Sequence, residues 1–456
     1  MRLGWSGWPA ISRRRLAEAC AFLEWARVAA VCLDDFGDGG LDVERLAFLD
    51  KALEGKRIVY LGEPSHWIHE KYPYRLLMLR YLFSRGWRHL GEELSWSDGR
   101  RVDHYLDTGE SAQLDRITAY GYTGANRPDR DDRPTGLLAE GSSFPTELFR
   151  AEQVHFASAL RRMSESRPPG SDRLHFFGFD ADYIPGAGYE QIDELLLGHE
   201  SCALVTDMRA LLARVEGETM QEESVRVGSA LQWLEENHDG VDDAIGSDAG
   251  QRLRYAVLNL RDSLDYVAVA NPATDWETLR QAMAKREQIM HRHVSRVLST
   301  LGPEEKLILM AHNQHLAKDD EGISAPQVGA GPGGGMVPSV GCYLNRLFPG
   351  EVFSIWMLWE HGEDCQPFPQ LRSELCSPPS SLNALLADVG PVFIVPTHSP
   401  DPRSQLLSGE TEIASMYNQV LRATLADQCD TIFFVREVTP LAPDTGLEPA
   451  RETLSW

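Results

Sequence analysis

Arg57-Ile-Val-Tyr-Leu-Gly62-Glu63-Pro64-Ser65-His66 is the stretch from which the fold can be read. Ile58 to Leu61 are apolar without a polar residue between them. A short run of that kind is a strand covered on both faces, whereas a half-exposed strand alternates. The change to Gly, Glu, Pro, Ser and His then places ionisable groups where the strand stops.

Six more runs of the same character follow, at 88–91, 174–179, 306–310, 352–357, 391–395 and 431–435. Helical patterns separate them. Segment 41–54 carries Leu41, Val43, Leu46, Leu49 and Leu53 at helical spacing, and a second pattern covers 67–85. Strands alternating with helices imply βαβ units. The expected fold is α/β, with a central, largely parallel sheet and helices on both faces.

Two regions break the rhythm. Residues 108–145 are rich in Gly, Pro and Asp and read as a long polar loop. Residues 187–300 hold no strand-like run but several helical patterns, among them Ala203–Val215, Arg252–Asp265 and Trp276–Leu301. The expected organisation is therefore a first part of the core over 1–186, a helical cap over 187–300 and a second part of the core over 301–456. Segment 324–341 reads as a second loop, and no internal repeat is visible.

The strand ends carry the chemistry. The first runs into Glu63 and His66, the second into Glu92-Glu93, the third into Asp180, and the fourth into Ala311-His312-Asn313-Gln314-His315. In open parallel sheets ligands bind beyond the carboxyl ends of the strands. Each residue has an ordinary explanation. Glu63 or Asp180 could cap a following helix, the favoured reading for Asp180. His66 could be a satisfied core histidine. His312 and His315 would share a face at a solvated helix start. Glu92 and Glu93 would point opposite ways in a strand, so one at most faces a site. Their coincidence at four strand ends is what these explanations account for badly, because ionisable groups beside a buried sheet are costly unless paired or at work.

Composition narrows the classes. The chain has 456 residues, and 44 Lys plus Arg against 68 Asp plus Glu give a net charge of −24. Such a balance repels phosphate backbones, so nucleic acid is not an expected partner and a small-molecule substrate is. Hydrophobic residues at 43% and charged residues at 25% suit a globular protein and not a disordered one. Seven scattered cysteines without a CxxC pair favour a reducing cytoplasm over a disulfide framework or a zinc knuckle. The N-terminal residues lack a secretory pattern, and no window is apolar enough to span a membrane. Gly329-Ala-Gly331-Pro-Gly-Gly334 fits GxGxxG but follows no strand, and there is neither a GxSxG elbow nor a phosphate-binding GxxxxGK[ST] loop. His291 and His293, in a basic helical stretch, read as surface residues. His66, His312 and His315 with a glutamate would also make a catalytic zinc set, three ligands and an open position. From the residues alone that reading ranks first.

The ordered set Gly62-Glu63-x-Ser65-His66-x-x-His69-Glu70, then Arg75, then Glu93-Leu-Ser-Trp96, resembles the N-terminal signature of the erythromycin esterase family, which takes in succinoglycan biosynthesis-type proteins. Phe177-Gly-Phe-Asp180, Lys285-Arg286-Glu287, the AHNxH segment ending at His315, and Phe433 to Thr439 agree in order over roughly 40–440. The resemblance implies a metal-independent hydrolase, without cofactor, that opens a macrolide lactone or another ester. It implies that His66 is the general base on water, that Glu63 and Glu93 orient the base and the water, and that Arg75, His312 and His315 steady the oxyanion or the substrate. Trp67, His69, Asp180 and Arg286 would face the substrate. Pro64 and Trp67 depart from the family pattern, so the macrolide does not follow from the resemblance. Antibiotic resistance and natural-product biosynthesis, the latter with a non-hydrolytic reaction in the same pocket, both stay open.

Overall fold

The structure is a computed structural model. It describes residues 13–33, 42–117, 146–167, 170–182, 185–325, 337–365 and 373–441. Most of the expected 108–145 loop, the core of the 324–341 loop and the whole of Gly329–Gly334 lie outside the described residues. The chain divides into two compact units, one of 1–91, 147–175 and 301–456, the other of 92–146 and 176–300. The second unit thus takes in residues before 187 as well as the helical stretch.

The first unit is built on α1 (Arg13–Ala29), β1 (Val31–Cys32), β2 (Ile58–Glu63), α2 (Lys71–Ser84), the start of β3 (His89–Ser95) and, after α3 (Trp96–Thr108), on α4 (Thr146–Glu165). β4 (His175–Asp180), α5 (Pro185–Leu196), α6 (Ala203–Leu212), α7 (Met220–Glu236), α8 (His238–Ile245), α9 (Ser247–Ala270) and α10 (Trp276–Thr300) come next. The chain then returns to the first unit with β5 (Leu307–His312), α11 (Val340–Leu347), β6 (Val352–Asp364), β7 (Ser373–Cys376), α12 (Leu382–Leu386), β8 (Val392–Pro396), the hairpin β9 (Glu410–Ala414) and β10 (Val420–Thr424), α13 (Leu425–Gln428) and β11 (Thr431–Val438). All seven expected strands are present.

In the first unit the strands run in the order β1-β8-β11-β6-β2-β5, with β7 on β6. The four from β11 to β5 are parallel; β8 against β11, β1 against β8 and β7 against β6 are antiparallel. Both faces are covered, which is why the strands do not alternate in polarity. Ile432 and Phe434 join Phe22 and Trp25 of α1 in one core. Phe433, pointing the other way, meets Tyr74 of α2 with ring centroids 4.5 Å apart. Segment 41–54 is a 3-10 turn over Val43–Leu49, not an α-helix, opened by Asp42 accepting from the Glu44 amide. Leu46, Leu49 and Leu53 are buried from it as the spacing implied.

The second unit joins the ends of β3 and β4 to α3 and to six helices over 185–300, with no strand among the described residues there. α9 runs through its middle, and Leu253, Val257, Leu260 and Leu264 share a core with Ile192, Met208, Val227 and Leu234. β4 is approached closely at two glycines, by α3 and by the end of β3: a Cβ on Gly99 would stand 1.7 Å from the Gly178 amide, and one on Gly178 would stand 2.0 Å from the Ser95 carbonyl. Only glycine permits that approach. No described helix is long and apolar enough to cross a membrane.

Candidate active site

Parallel pairing of β2 with β5 sets Glu63 beside His312 in register, so the first and fourth strand ends do meet. The chain turns sharply after Glu63, and His66 comes back onto it. His66 Nδ1 lies 2.7 Å from Glu63 Oε1, with Glu63 fully buried and the His66 side chain 11% exposed. Arg75 Nη2 approaches Glu63 Oε2 at 2.8 Å and Lys71 Nζ approaches Oε1 at 3.5 Å. Lys71 and Arg75 are four apart on α2 and so share a face. The Lys71 ammonium also sits over the Tyr72 and Phe149 rings, at 4.9 and 5.2 Å.

Burial pushes the Glu63 carboxyl up, but Arg75, Lys71 and the His66 hydrogen bond outweigh it and hold it at about 2. Glu63 is therefore a carboxylate and an acceptor only. The proton in the short contact belongs to His66, whose Nδ1–H donates to Glu63. In the tautomer this bond selects, the ring lone pair is on Nε2.

His312 is used differently. Its Nε2–H donates to the Pro64 carbonyl at 3.1 Å, and its Nδ1 accepts from the Gln314 amide at 3.3 Å. It pins the turn that carries His66, and the two rings are 5.5 Å apart. His312 ends β5 and His315 lies in the following turn, not on a helix, with their centroids 6.4 Å apart. Glu63 occupies one nitrogen of His66, and backbone groups occupy both of His312, which leaves His312 no lone pair to offer in this arrangement. Among the described residues no group of three or more His, Cys, Asp or Glu is arranged to hold a metal ion.

Trp67 is buried, edge-on to His66 at 5.7 Å and against Phe149 at 6.4 Å. His69 Nδ1 lies 2.7 Å from buried Glu152 of α4. Burial works against the charged ring, but Glu152 raises the His69 pKa. Lys71, Glu152 and the fully buried Asp364, which accepts from Ser65 at 3.4 Å, escaped the reading of the sequence. Lys71 had a usable signal, its i,i+4 spacing to Arg75; the other two meet this segment only through the fold.

The remaining site candidates belong to the second unit. β3 does not stop before Glu92-Glu93 but continues to Ser95, and both glutamates are buried. Arg286 of α10 sets Nη2 2.6 Å from Glu93 and grips Asp180 through Nε and Nη2 at 2.8 and 2.6 Å. Asp180 is thus the far half of a buried ion pair and not the cap of α5, which begins at Pro185. His293 is fully buried and not on the surface. It bonds the Tyr255 hydroxyl at 2.6 Å and stacks on Trp96 at 4.7 Å. Burial, with Arg292 and Arg296 adding to it, pushes its pKa well down. Half-buried His291 is likewise not fully exposed.

A family model described as Erythromycin esterase matches residues 84–438, beyond the segment from Gly62 to Arg75. No curated protein matches the chain. A Bacillus cereus protein of solved structure superposes with a TM-score of 0.68 at 16% identity, covering 93% of this chain and 98% of its own. A structure titled succinoglycan biosynthesis protein gives 0.68 at 14% identity, with 92% and 98% covered. A mutant of erythromycin esterase EreC in its open conformation gives 0.61 at 19% identity, with 89% and 97% covered. These likenesses are of fold.

Proposed function

Because the chain belongs to the erythromycin esterase family, we propose that it hydrolyses a small-molecule ester or lactone, with His66 as the base that activates water. One observation carries the reading: a carboxylate kept ionised in the interior, 2.7 Å from His66 Nδ1. It fixes the tautomer that presents Nε2 as a base and stabilises the imidazolium formed once a proton is taken. Nε2 takes the proton of water as the oxygen bonds to the carbonyl carbon. The tetrahedral intermediate then collapses, and the leaving alkoxide receives that proton from Nε2. Lys71 and Arg75 act through Glu63, and His312 acts by holding the turn. The half-buried His315 is the donor assigned to the developing oxyanion. The cytoplasm is the compartment that fits the unpaired cysteines. The test is mass spectrometry of macrolides and simple lactones incubated in oxygen-18 water. The expected result is one labelled oxygen in the ring-opened acid, lost with His66→Asn while the melting temperature holds. Wild-type turnover in that variant would overturn the reading.

Trp67 motivates a second reading. An apolar ring edge-on to the base restricts water beside it. The same base would then serve a substrate hydroxyl, in transesterification or lactone formation, or would abstract a proton in an elimination or cyclisation. A product without label, formed at the rate of substrate loss, would favour this reaction over hydrolysis.

A further inference from the structure

The turn that carries His66 continues through Trp67, Ile68 and His69, and two kinds of contact hold it. To the strand ends the contacts are backbone. The Trp67 carbonyl accepts from the amides of Cys365 and Leu441, each at 3.3 Å, and the His69 amide donates to the Thr439 carbonyl at 2.9 Å. Cys365 follows the end of β6, and Thr439 and Leu441 follow the end of β11. Such bonds fix the path of the chain and leave its side chains to turn. To α4 the contacts are made by side chains. Phe149, Glu152, Gln153 and Phe156 share one face of that helix by their spacing. Phe149 stands against Trp67 at 6.4 Å, Gln153 accepts from the Tyr72 hydroxyl at 3.3 Å, and Phe156 meets the Tyr72 ring at 5.6 Å. Glu152 adds an ionic contact, 2.7 Å from His69 Nδ1.

We propose that His69 and Glu152 are positioning residues for the base: their pair locks α4 onto the His66 turn, and through Phe149 it keeps Trp67 edge-on to the His66 ring. The Glu152 side chain is 1% exposed and that of His69 21%. A carboxylate so deep is costly without donors, and His69 supplies one. The bond is therefore hard to part, and it fixes the register of α4 along the turn. Phe149 lies three residues before Glu152 on the same helix face, so that register also sets the Phe149 ring against Trp67. Neither His69 nor Glu152 touches a reacting atom in this role; both act through Trp67 and the turn. The role deepens the reading of His66 as the base and rests on it.

The test follows the Nδ1 proton of His66 by NMR of the full chain with nitrogen-15 histidine, its signal identified by its absence in His66→Asn. That proton is bound to Glu63 on a side chain 11% exposed, so it should exchange slowly with water. In His69→Ala, and in the double variant His69→Phe with Glu152→Met, exchange should quicken about tenfold. His69→Asn keeps an amide that donates to Glu152, and should return exchange to within about twofold of the wild type. The double variant removes both polar partners together and should melt with the wild type. Exchange unchanged in the double variant overturns the proposal, and so does exchange as fast in His69→Asn as in His69→Ala. Global unfolding of the double variant overturns it too, because the pair would then hold the fold and not the turn. The measurement needs no substrate, so its failure is distinct from a failure of hydrolysis in oxygen-18 water.

Discussion

Two buried charge clusters, one in each unit, are put together from similar residues and do opposite things. In the first, one carboxylate, Glu63, meets two cations, Lys71 and Arg75, and an imidazole. In the second, one cation, Arg286, meets two carboxylates, Glu93 and Asp180. Cationic excess around Glu63 keeps it ionised and leaves it a charge to impose on His66. Around Arg286 two carboxylates face one cation. The difference lies in what the central charge has left over. The first cluster is arranged to work on a ring nitrogen, the second to tie β3, β4 and α10 together.

Removing each central cation should break the comparison most strongly. Arg286→Met removes the cation that buried Glu93 and Asp180 both face and should lower stability by about 3–5 kcal/mol, read by denaturant unfolding. Arg75→Met leaves Lys71 against Glu63, so a loss of about 1–3 kcal/mol is expected. Equal losses would show that the two clusters do not differ in the way described.

Next in size are the glycines beside each cluster. Gly178→Ala drives a methyl into the Ser95 and Leu94 carbonyls, at 2.0 and 2.5 Å, where only backbone can yield. A destabilisation of about 3 kcal/mol or more follows. Gly62→Ala meets the Asn313 side-chain oxygen at 2.3 Å and the Ile355 carbonyl at 3.2 Å. Part of that strain is relieved by turning a side chain, so thermal melting should show the smaller loss for Gly62→Ala.

The smallest effect is in pH. The Glu63 carboxyl is held below its ordinary value, so its pairing contributes stability above about pH 4.5 that is lost as pH falls toward 2. Asp182 of the second unit runs the other way. Burial lifts it to about 6, against hydrogen bonds from Ser97 and Asn259. Its carboxylate therefore weakens that unit above pH 6, and protonation relieves this as pH falls through 6 toward 3.8. Amide exchange, corrected for intrinsic rates, should slow in α9 between pH 7 and 5 while β2 is unchanged. Faster exchange in α9 over that range would contradict the assignment.

Much of this was legible in the sequence because it is local. The buried strands show as apolar runs, and Glu63 with His66 shows as a strand end followed by a three-residue return. What was not legible depends on partners far along the chain. Asp180 reads as a cap until Arg286, 106 residues later, is seen to hold it. Glu152 reaches His69 from a helix 83 residues on. His293 sits among arginines in the sequence, and only packing on Trp96 and Tyr255 shows that it is buried. The strand read over 88–91 was expected to run out at Glu92-Glu93; β3 instead continues through both to Ser95, and Glu93 meets Arg286, 193 residues on.

The claim on which the rest depends is that ionised Glu63 sets the tautomer of His66. Nitrogen-15 NMR of labelled histidine reads it directly, at a pH that keeps the ring neutral. The expected spectrum places the proton of His66 on Nδ1 and the lone pair on Nε2, with that preference lost in Glu63→Gln. A proton on Nε2 in the wild type, or a tautomer that Glu63→Gln leaves unchanged, would contradict the account.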